Sequence, residues 1–116
     1  MAETFELVVC TTCRLPGSDP DAPSDGARLS EALERHGIAH RRQPCLCACD
    51  HGCAVVLRGR GRWTYVQGAL SPMHDIPDLI AMYRAYGASA DGQVPWRMRP
   101  EVIRKNIIAR IPPIEV

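Results

Sequence analysis

Apolar and polar residues divide this chain into short blocks, each with its own period. The run TFELVVC, residues 4–10, turns apolar and β-branched before it stops at a cysteine, and this predicts a buried strand. A loop follows in RLPGSDPDAPSDG, residues 14–26, dense in Pro, Asp, Ser and Gly and longer than an ordinary connection, the kind that often carries function. Ser24 or Asp25 then caps a helix with a narrow apolar stripe of Leu29, Ala32 and Leu33, ended by Gly37. IAHRRQ, residues 38–43, offers a second strand. Ala54–Leu57 and Trp63–Val66 form a hairpin around a turn of glycines and arginines. In DIPDLIAMYRAYG, Ile76, Leu79, Ile80 and Tyr83 fall at helical spacing, with Asp75 as cap and Gly87 at the far end. Pro100 opens a short helix whose Ile103, Ile107 and Ile111 share one side, and Pro112 and Pro113 stop it. That side is expected to pack on the domain's own core, the alternative being a partner surface or a homodimer contact.

The order strand, helix, strand, strand, strand, helix predicts an α/β fold with a mixed four-stranded sheet, flanking helices and a C-terminal tail. Residues 1–90 make the domain and residues 91–116 an extension with a short helix. The first crossover makes the first two strands parallel, with the usual right hand. It therefore carries Cys10, at the end of the first strand, and Cys45, just past the second, to the same edge of the sheet. CTTC (Cys10, Cys13) and PCLCACDHGC (Cys45, Cys47, Cys49, Cys53) hold all six cysteines of the chain.

At 116 residues the chain can bury a little under about 70% of its unfolded surface, so it folds without staples. No signal-like start or membrane-length apolar run is present, and a cytoplasmic protein with no membrane contact is expected. In a reducing compartment, clustered cysteines point to metal binding or catalysis rather than to disulfides. A formal net charge of +1 argues against nucleic acid as a partner. Arg41, Arg42, Arg58, Arg60 and Arg62 bunch locally. They read as a solvated strand edge and hairpin turn, with docking of an acidic partner as the alternative.

Two loops with two cysteines each supply the four thiolates of a 2Fe-2S cluster, and the same ligands suit tetrahedral zinc. Spacing alone does not separate the two. His51 is expected to be a turn residue, with a Rieske-type ligand role as the alternative. No paired carboxylates, phosphate loop or serine-histidine arrangement appears.

CLCACDHGCAVVLRGRGRWTYV resembles the second ligand loop of thioredoxin-like 2Fe-2S ferredoxins, where cysteine, leucine, glycine, any residue and cysteine precede a valine-rich hairpin. From VVCTTCR to YGASADGQVPWRMRP and ARIPP, the whole chain resembles a bacterial family of predicted metal-binding proteins related to those ferredoxins. The resemblance implies a thioredoxin-like fold, a 2Fe-2S cluster on Cys10, Cys13, Cys45 and Cys49, and an electron carrier serving a redox partner protein rather than an enzyme. Cys47 stands where the ferredoxin pattern has glycine and Cys53 where it usually has proline. The first pair is also closer together than in those ferredoxins. Cys47, Cys53 and His51 remain alternative ligands, and Cys53 otherwise reads as a small buried thiol. One rival is a dithiol oxidoreductase using Cys10 and Cys13. Because the long loop precedes the helix, no helix end is expected to activate that pair, and ligation is preferred. Zinc held for structure or delivery is the other rival.

Overall fold

The computed structural model describes residues 5–47 and 52–114. In chain order it contains β1 (Phe5–Cys10), α1 (Asp25–Arg35), β2 (Arg41–Gln43), β3 (Val55–Gly59), β4 (Thr64–Gln67), α2 (Ile76–Ala88), a 3-10 turn (Trp96–Met98), α3 (Glu101–Asn106) and β5 (Ile107–Ile111). The sheet is mixed, in the order β2-β1-β3-β4-β5, with β1 and β2 parallel and every other pairing antiparallel. Among the described residues no helix is long and apolar enough to cross a membrane.

Register decides which face is buried. Leu7 lies opposite Leu57, and Leu57 opposite Tyr65, while Val9 pairs with Val55 and Val55 with Gln67. Cross-strand partners share a face, and all six of these side chains are buried. They join Leu29 and Leu33 of α1, Leu79, Met82 and Tyr86 of α2, and Ile103 of α3 in one core. Tyr86 meets both Phe5 and Tyr65 edge-on, and its hydroxyl donates to the Trp63 carbonyl at 2.5 Å. Gly87, expected at the far end of α2, lies within it. A Cβ there would come 2.8 Å from the Phe5 ring, so close helix-to-strand packing explains the residue better than helix termination does.

The last segment differs most from expectation. The helix that opens after Pro100 ends at Asn106, and Ile107–Ile111 run extended against β4, giving a fifth strand where four were expected. Ile103 is buried, but Ile111 is 50% exposed, so the three isoleucines do not form one helical stripe. Pairing with the edge of β4 satisfies backbone groups of both segments, and β-branched isoleucines suit it.

Candidate metal centre

Cys10 is the last residue of β1, level with Gln43 at the end of β2, so the two loops that follow leave the same edge. The two threonines of CTTC fasten these loops together. The Thr11 N–H donates to the Gln43 carbonyl at 2.9 Å, and the Thr12 hydroxyl donates to the Pro44 carbonyl. The Cys10 thiol donates to that same carbonyl at 3.9 Å.

Two backbone amides of the second loop point at sulfur. Leu46 N–H bonds to Cys10, and Cys47 N–H lies 3.3 Å from the Cys45 Sγ. Cys47 adopts φ 57°, the left-handed region that favours glycine. The glycine of the ferredoxin pattern thus has a physical reason at this position: the chain must turn left-handed, and that turn accompanies the approach of its amide to Cys45.

Cys10, Cys13 and Cys53 are buried, whereas Cys45 and Cys47 lie at the surface. Burial pushes the Cys10 thiol up, but hydrogen bonds from the Cys13 thiol, from the Thr12 backbone and hydroxyl and from Leu46 outweigh it, leaving Cys10 below the ordinary thiol range. Cys53 has no such compensation. Burial, with the Asp25 carboxylate and then Cys13 and Cys10 nearby, pushes it up to about 12. Gly52 permits this clustering, since a Cβ there would stand 3.2 Å from the Cys13 Cβ and 2.9 Å from the Arg14 carbonyl oxygen.

The long loop folds back on the first pair, which corrects the expectation that no helix end reaches it. Arg14 laces the loop by donating to the carbonyls of Asp19 and Ala22 at 2.9 and 2.8 Å. Ser24 caps α1, accepting from Ala27 N–H, and its hydroxyl donates to the Thr11 carbonyl at 2.5 Å. Gly26 N–H donates to the Cys13 carbonyl at 2.9 Å, and a Cβ on Gly26 would lie 2.0 Å from the Cys10 carbonyl oxygen. Asp25 is buried at the same place and accepts from Leu15 N–H at 2.8 Å. The N-terminus of α1 therefore rests on the Cys10–Cys13 loop. Gly26 and the two threonines escape a search for reactive groups. Their signal is a glycine in the first turn of a helix, where it lowers propensity and so calls for a packing reason.

Cys49 and His51 lie outside the described residues. Among the described residues no three His, Cys, Asp or Glu side chains come together in a way that could hold a metal ion. Cys10, Cys13 and Cys45 thus do not by themselves make a metal site here, and a four-thiolate centre would draw on all four proposed cysteines. The residues present suit such a group in their chemistry: soft thiols come from two fastened loops, and backbone N–H groups already point at two of the sulfurs, as they do around protein-bound iron-sulfur clusters.

The chain belongs to the DUF1636 family, described as proteins of unknown function, whose profile matches residues 7–113. No curated protein sequence matches it significantly. Among solved structures it is similar to a thioredoxin-like [2Fe-2S] ferredoxin from Aquifex aeolicus, with a TM-score of 0.56 and 18% identity over 94% of each chain. The fold is thus thioredoxin-like, as in that ferredoxin.

Proposed function

We propose that this DUF1636 protein is a small ferredoxin-like electron carrier, with a 2Fe-2S cluster held by Cys10 and Cys13 from the loop after β1 and by Cys45 and Cys49 from the loop after β2. The observation that carries this reading is the fastening of the two loops at one sheet edge, with Leu46 N–H on Cys10 and Cys47 N–H on Cys45. The fold it shares with the Aquifex aeolicus ferredoxin supports it. The cluster would supply single-electron chemistry. The chain's own residues would bury two ligand sulfurs, leave Cys45 at the surface, where a redox partner reaches it, and aim N–H groups at sulfur, which sets the potential.

Absorption of protein purified without oxygen, read with iron, acid-labile sulfide and zinc content, tests this. Visible bands that bleach with dithionite are expected in the wild type and in Cys47→Ser, and their loss in Cys45→Ser. A folded, colourless protein with stoichiometric zinc would replace the proposal with a structural or metal-delivery role.

A second reading is favoured by the α1 N-terminus on the CTTC loop and by the lowered Cys10 thiol, both of which suit a dithiol oxidoreductase. On that reading, metal-free protein reduces a model disulfide and loses turnover in Cys10→Ser; on the electron-carrier reading it does not.

A further inference from the structure

The end of the sheet opposite the cysteines carries an open groove of about 1080 Å³. It lies at the start of β1, the start of β2, the β3–β4 turn and the end of β5; Phe5 stands about 17 Å along β1 from Cys10, while Arg41 is level with Val8. Four arginines line it: Arg41, Arg58, Arg60 and Arg62. Glu6 is the carboxylate among the lining residues, so the groove concentrates positive charge in a chain whose formal net charge is only +1.

Three of these arginines are held in place. Glu6 takes Arg41 on one carboxylate oxygen at 3.1 Å and Arg58 on the other at 2.7 Å. Arg62 donates to the carbonyls of Tyr86 and Ser89 at 2.9 and 2.8 Å, and its guanidinium lies over the Phe5 and Tyr86 rings. Arg60 is exposed on the β3–β4 turn between them. Phe5, Tyr83, Ile111 and Pro112 add apolar surface.

From this geometry we infer that the groove docks an acidic segment of a partner protein, one in which glutamates or aspartates alternate with aliphatic residues. Planar guanidinium forks pair with carboxylates in two-pronged fashion, and held arginines lose less freedom on binding than loose ones. The aromatic rings of the groove already pack on one another and under Arg62, which leaves no stacking platform for bases and favours a peptide over a nucleic acid. The groove opens at the start of β1, whereas Cys10 ends that strand and Cys45 follows the far end of β2. The inference stands apart from any metal at the cysteine edge.

Fluorescence anisotropy on the full chain tests this, using a fluorescein-labelled peptide of alternating glutamate and leucine at low ionic strength. Binding is expected, weakening as salt rises. It should fall about tenfold in Arg58→Glu/Arg60→Glu and measurably in the milder Arg60→Ala. In Arg35→Glu/Arg97→Glu, which carries the same charge change outside the groove, it should move less than about twofold. No binding by folded wild type, an equal loss in that control, or stronger binding of a single-stranded oligonucleotide or of inorganic pyrophosphate would each overturn the inference.

Discussion

At the scale of single residues, Cys47 and Cys53 sit in opposite settings, Cys47 exposed beside Cys45 and Cys53 buried near Cys10 and Cys13. Cys47 carries a side chain in a left-handed backbone conformation, which disfavours any residue other than glycine by about 1–2 kcal/mol. Cys47→Gly is therefore expected to retain its metal and to raise stability by roughly 1 kcal/mol, as read by urea unfolding. Loss of metal in that variant would make Cys47 a ligand. In metal-free protein, Cys45 is exposed while Cys53 is buried and held protonated, so iodoacetamide at pH 8 should label Cys45 quickly and Cys53 only after unfolding, as mapped by mass spectrometry. The cysteines themselves were plain in the sequence, because thiols at loop spacing announce their chemistry. Thr11, Thr12, Gly26 and the Leu46 amide were not, since they act through backbone approach and loop pairing that no local pattern encodes.

At the scale of elements, the first parallel pair and the hairpin were legible because strand, crossover and turn residues agree along that stretch. The tail misleads for a physical reason. Isoleucines four apart at residues 103, 107 and 111 satisfy a helical period, yet they equally suit a helix that gives way to a strand once β4 offers an open edge. Only the tertiary partner decides between them. Ile103→Ala should cost about 2–4 kcal/mol and Ile111→Ala less than about 1 kcal/mol, because Ile103 is 1% and Ile111 50% exposed; a continuous helical stripe would make the two losses similar. Gly26→Ala should be worse than either by thermal denaturation, because its Cβ would overlap the Cys10 carbonyl and part α1 from the cysteine loop.

At the scale of the whole molecule, the core ties stability to pH through Tyr86. Burial raises its hydroxyl from 10 to about 12, with Arg62 opposing and Tyr65 adding to the shift. A folded state that holds its proton more tightly than the unfolded chain has its full benefit below pH 10 and loses it as pH rises through 12. Tyr86→Phe should therefore flatten the alkaline decline in melting temperature and, by deleting the bond to the Trp63 carbonyl, lower stability at neutral pH by about 1–2 kcal/mol.

The central claim concerns two loops that act together at one edge of the sheet. Its most direct test is electron paramagnetic resonance of anaerobically purified, dithionite-reduced protein, with iron and sulfide measured on the same sample. Iron and sulfide in equal amounts and a reduced 2Fe-2S signal are expected in the wild type, the signal being lost when either Cys10 or Cys45 becomes serine. A folded wild type without iron, or a signal that survives both substitutions, would contradict the claim.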